Sequence, residues 1–215
     1  MSGQERVVRE LVGAHGRTFA DEAGILLKDT PQPLYRLLVL SHLLSARIRG
    51  SIALATARAL HEAGLRDPRR MAAADWQERV DALGRGGYRR YDERTATQLG
   101  DAAELLNERW GGDLRRLRRE ADGTVSELRR LLREFPGMGP AGTDIFLREV
   151  QGVWPEAAPY LDGKALQGAE RLKLPKDPER LAQLAGKTGP AVLAAALVQA
   201  AVDKEIAEDT LRRAG

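Results

Sequence analysis

Cysteine is absent from all 215 residues. That removes disulfides, iron–sulfur clusters and cysteine-ligated zinc from consideration. Histidine is scarce too. His15, His42 and His61 lie far apart without the spacing of a ligand set, and they read as surface or packed side chains. No metal site and no cofactor is therefore expected. Aromatic residues make up only 5% of the chain. Long hydrophobic runs are missing as well: LLVLSHLL (37–44) and PAVLAAALVQAAV (190–202) are too short to span a bilayer and read as buried core helices. The N-terminal MSGQERVVRE is charged and has no apolar signal core, so a cytoplasmic location without membrane partners is expected. Period-two alternation is lacking, which argues against a sheet.

What remains is a chain of 43% hydrophobic and 30% charged residues, long enough to bury a core. Net charge is only +3, but nearly all of the basic residues are arginine, and they cluster. RGGYRRYDER (85–94), LRRLRRE (114–120) and LRRLLRE (128–134) are the densest segments. The planar fork of arginine suits phosphate. For any one cluster a solvated helix face is the plainer reading.

Helical periodicity dominates. Helices are expected near 4–15, at 20–28, and at 34–48, the last apolar nearly all round and so central. SIALATARALHEAG follows, with Ser51 as candidate cap and Gly64 as stop. Further helices are expected over ADWQERVDALGRGG, at 92–110, at 124–134 with Thr124 and Glu127 at capping-box spacing, and from 140 onward. The last four are placed at 164–172, 178–186, 190–201 and 203–213. Breaks at 30–33 and 152–163 suggest a middle lobe of 31–150, with 1–30 and 151–215 forming a second lobe.

Within this helical run, REFPGMGP (133–140) places Pro, Gly, Gly and Pro within five positions. Glycine tolerates positive φ, and proline suits the first turn of a helix. The segment reads as a tight hairpin, Pro136 ending one helix and Pro140 opening the next. Downstream, YLDGKALQGAERLKLP sets Asp162 immediately before a helix, 23 positions after Gly139.

Hairpin and downstream aspartate together resemble the helix-hairpin-helix DNA glycosylases, the superfamily of endonuclease III and the adenine and alkylpurine glycosylases. LLSARIRGSIALATARAL (43–60) is similar to the second barrel helix of that family. LGRGGYRRYDERTATQLGDAAELL (83–106) is similar to its glycine turn followed by Tyr and a basic residue. The likeness covers most of 34–175. It implies an all-α, two-lobed fold with a helix-hairpin-helix and a DNA cleft between the lobes, in a monomeric, nucleoid-associated repair enzyme acting on double-stranded DNA.

The resemblance also implies roles. Gly137, Gly139, Ala141 and Gly142 would hold a phosphate through the turn and the amides that start the second helix. Arg47, where the family has glutamine, would enter the stack or contact a phosphate, with Arg90 or Tyr91 from the opposite side. Asp162 would stabilise charge on the sugar or activate water, or serve simply as a helix cap. Bifunctional members carry a lysine where this chain has Ala141, so a monofunctional glycosylase is implied; Lys164 is either a substitute nucleophile or a phosphate-binding or solvated residue. Trp154 and Tyr160 would stack on a base or pack beneath the loop. A non-catalytic DNA-binding protein is the alternative.

Overall fold

The computed structural model describes residues 2–215, and among these the chain is helical without a strand. It opens with α1 (Gly3–His15), α2 (Phe19–Glu22), α3 (Pro31–Ser45), α4 (Gly50–Glu62) and α5 (Pro68–Ala73). Next come α6 (Trp76–Arg85), α7 (Asp92–Trp110), α8 (Leu114–Glu120) and α9 (Val125–Leu132). The remainder is α10 (Pro140–Val150), a 3-10 turn at Pro155–Ala157, α11 (Gly163–Arg171), α12 (Pro178–Ala185), α13 (Pro190–Val202) and α14 (Lys204–Ala214). No single helix among the described residues is long and apolar enough to cross a membrane.

The helices gather into two compact units. One is Ala20–Phe146; the other joins residues up to Phe19 with Leu147–Gly215. The first unit thus begins eleven residues before the expected lobe of 31–150. The reason is the short segment after α2: Gly24, at φ +68°, ends that helix early, and Ile25 is buried beside Tyr35 and Val39. In the centre of this unit lies α3, with Leu34, Leu37, Leu40 and Leu43 fully buried. Pro31 in its first turn suits a helix start, where the missing N–H costs no internal bond. The helix stops at Ser45 because Ala46 turns extended, so Arg47 sits on a loop rather than in the helix expected to reach 48.

Local capping differs from the sequence pattern in both directions. Capping boxes form at Ser2/Glu5 and Asp75/Glu78. At α9, Thr124 holds the cap position but its side chain makes no capping bond. The structure adds two short helices that the periodicity does not separate, α5 and α8; each follows an aspartate, Asp67 and Asp113, that accepts a first-turn amide.

In the second unit, Val8 and Leu11 of α1 share a core with Leu193 and Leu197 of α13 and with Ala165 and Ala169 of α11. The α11–α13 packing depends on Gly168: a Cβ there would fall 1.8 Å from the carbonyl oxygen of Leu197. The two backbones touch, and no side chain fits between them.

Candidate nucleic-acid interface

Between α9 and α10 the chain turns over Phe135–Met138. Met138 N–H donates to the Phe135 carbonyl at 2.9 Å, Pro136 fills the second position and Gly137 the third, at φ +81°. That is the pattern of a type II turn, which needs positive φ at its third residue. Phe135 and Met138 are buried, so the turn is anchored by its ends while Gly137 and Gly139 stay exposed. Phe135 packs on Trp110, with ring centroids 5.5 Å apart.

Helix α10 then begins at Pro140. The Thr143 amide and hydroxyl both donate to the Gly139 carbonyl at 3.0 Å. Pro140 has no N–H, and those of Ala141 and Gly142 have no acceptor among the described residues. Gly139 itself meets no atom within 4 Å of an added Cβ, so the fold's own packing does not demand glycine there.

Gly137 is different. A Cβ at that position would lie 2.5 Å from His42 Nε2 and 2.7 Å from Gln98 Oε1. Those two atoms are 3.2 Å apart; since an amide oxygen only accepts, His42 Nε2 is the donor. Burial lowers the His42 pKa to about 4, so the ring is uncharged at neutral pH. A neutral His42–Gln98 pair, from α3 and α7, therefore supports the turn from below.

Beside this pair opens a concavity of about 370 Å³. Arg47, Tyr88, Tyr91, Arg94 and Gly137 are among the residues that line it. Tyr88 is buried and its hydroxyl meets Thr95 Oγ1 at 3.1 Å. Tyr91 occupies the cap position of α7 without a side-chain capping bond, and the Arg90 guanidinium lies over its ring at 5.3 Å. Arg47, Tyr91 and Gly137, three of the residues singled out from the sequence, thus meet at one place within one unit.

Ion pairing divides the arginines of the three clusters. Arg115 pairs with Asp113 and Arg118 with Asp29, both at 2.8 Å. Arg130 reaches Glu127 and Glu134 at 2.8 Å, and Arg129 pairs with Asp144 across the two helices of the turn. Arg47, Arg89, Arg90 and Arg94 are exposed and have no ion pair among the described residues. Arg116, Arg119 and Arg133 of the other two segments are likewise exposed without an ion pair among the described residues; what sets Arg47 and Arg94 apart is that they line the concavity.

Asp162 belongs to the other unit. It caps α11, its Oδ1 accepting from Ala165 N–H at 3.1 Å. Its Oδ2 accepts from Arg148 Nη1 at 2.8 Å, and the two side chains are only 9% and 6% exposed. Both oxygens therefore have a partner, and the carboxylate is not open to bulk water. Lys164 is exposed and donates to Gln167 one turn on, at 3.0 Å. Trp154 is fully buried, a packing residue rather than a free stacking surface. Tyr160 is half-buried, and its backbone is held by Gln151.

Sequence reading alone missed His42 and Gln98 as a pair, Tyr88 and Arg94 as wall residues, and Arg148 as the partner of Asp162. Arg148 carries a signal in retrospect: it stands in the apolar stretch IFLREV, where a buried cation requires a counter-charge. No protein-family model matches the chain, and no curated protein matches it.

Proposed function

We propose that the protein grips the backbone of double-stranded DNA through the 136–142 turn and acts as a monofunctional DNA glycosylase, hydrolysing the N-glycosidic bond of a damaged base. The observation that carries the reading is the convergence of Arg47, Tyr91 and Gly137 on one concavity, beside unpaired amides and arginines free of carboxylates. Phosphate oxygens are acceptors, and the N–H groups of Ala141 and Gly142 at the positive end of α10 are donors without partners among the described residues. Such contacts position DNA without reading its sequence. Arg47, on its loop, is the residue that enters the space left by an extruded nucleotide.

For the chemistry, water adds at C1′ of the sugar while the base departs and takes up a proton. Positive charge develops on the sugar ring, and the ionised Asp162 is the group that offsets it. A carboxylate offers about four acceptor positions, and its bonds to Arg148 and Ala165 use one on each oxygen. Ala141 supplies no amine where bifunctional relatives have one, and strand cleavage through a Schiff base is not expected.

The test is mass spectrometry of bases released from alkylated, oxidised and deaminated duplex DNA. Wild-type protein should release at least one base and leave abasic sites, and borohydride should trap no covalent complex. Asp162→Asn should bind the same DNA while losing roughly 100-fold or more in release. Full release by Asp162→Asn would overturn the assignment, and a trapped band would move the chemistry to Lys164.

A second reading, a DNA-binding protein without chemistry, is favoured by the ion pair that occupies Asp162. Tight binding with no base released from any of these substrates would establish it.

A further inference from the structure

Asp162 is preceded by a ten-residue segment, 152–161, that is irregular apart from one 3-10 turn. A loop of that kind does not by itself hold a carboxylate still. Two side chains from the end of α10 and the residue beyond it do so. Gln151, 2% exposed, uses both ends of its amide. Its Nε2 donates to the carbonyls of Arg148 at 2.9 Å and Tyr160 at 3.0 Å, and its Oε1 accepts from Tyr160 N–H at 2.7 Å. The side chain thereby pairs with Tyr160 in both directions, as a neighbouring strand would, two residues before Asp162. Arg148 then bonds Asp162 Oδ2, while Ala165 N–H bonds Oδ1.

We propose that Arg148 and Gln151 are positioning residues for Asp162, an inference that rests on the glycosylase reading. The amide cap fixes one oxygen from within α11, and the guanidinium fixes the other from α10. Together they set the rotation of the carboxylate as well as its place. Removing Arg148 frees the second oxygen to turn and hydrate, and the cap bond at Oδ1 opens more often as the carboxylate rotates. A reaction that needs a charge at a set distance from the sugar is sensitive to such freedom, since displacement by about 1 Å can cost roughly 100-fold in rate. Lysine preserves the charge but not the planar fork, so it should restore the bond incompletely.

The experiment compares wild type, Arg148→Ala, Arg148→Lys and Gln151→Met by three readouts: single-turnover base release at saturating protein, affinity for the same DNA, and hydrogen exchange of the Tyr160 and Ala165 amides. Arg148→Ala should slow release roughly 10- to 100-fold while affinity changes less than about threefold. Arg148→Lys should fall between Arg148→Ala and wild type. Gln151→Met should speed exchange at Tyr160, and Arg148→Ala should speed it at Ala165. Gln151→Met keeps the comparison decisive if Arg148→Ala does not fold. Wild-type release rates in every variant that folds, or unchanged exchange at the amide each folded variant is expected to expose, would overturn the proposal. If wild type releases nothing, the glycosylase reading fails by itself, and the exchange pattern still decides whether these two residues hold the loop.

Discussion

At Gly137 two demands fall on one position: a left-handed backbone at φ +81°, and van der Waals contact with the His42–Gln98 pair where a Cβ would sit. Gly139, two residues on, answers neither demand. The substitutions should therefore separate stability from binding. Gly137→Ala should destabilise the fold by roughly 1–3 kcal/mol, read by urea denaturation, because strain and overlap add. Gly139→Asp should leave stability within about 0.5 kcal/mol, since aspartate is a favoured helix cap. It should nonetheless abolish DNA binding, because a carboxylate would then stand where a phosphate is proposed to lie. If Gly139→Asp bound DNA as wild type does, the turn would not be the gripping element.

Among the helices, the three arginine clusters look alike as sequence and differ as structure. In LRRLRRE and LRRLLRE, Arg115, Arg118, Arg129 and Arg130 meet carboxylates of adjacent turns and helices while Arg116, Arg119 and Arg133 do not, whereas 85–94 leads into α7 with Arg89, Arg90 and Arg94 all unopposed among the described residues. Arg47→Ala and Arg94→Ala should each weaken DNA binding and lower the slope of log affinity against log salt by about 0.9. Arg115→Ala, already neutralised by Asp113, should change neither. Equal losses from all three would mean that only total charge matters. This is also where sequence reading reached its limit. The Pro-Gly turn was legible because its geometry is set by neighbouring residues. Which arginines remain free is decided by partners on other helices, such as Asp29 for Arg118. Likewise Thr124 and Glu127 have capping-box spacing, yet the threonine makes no capping bond.

For the molecule as a whole, His42 links the turn to acid stability. Its pKa is about 4 in the fold against 6.5 in an exposed histidine, because burial opposes the charged ring. Below pH 6.5 the unfolded chain takes up a proton that the native ring refuses. Stability from this group is therefore complete above 6.5 and declines as pH falls toward 4, by about 1.4 kcal/mol per pH unit. Denaturation at pH 7 and pH 5 should show a steeper loss in wild type than in His42→Gln. Identical losses would place the ring outside the folding equilibrium. The all-helical class and the turn could be read from the chain, and so could the placement of Asp162 at a helix start. Its counter-ion could not, because Arg148 reaches Asp162 only once the loop between them has folded back.

The contact of α11 with α13 at Gly168 bears on how this protein can change over time. With the Leu197 carbonyl filling the space a methyl group would need, α11 can neither slide nor roll on its neighbour. Lys164 and Gln167 on its outer side are exposed and open to replacement. Divergence can thus repaint the outward surface of that helix, while the acid at its head keeps a fixed address.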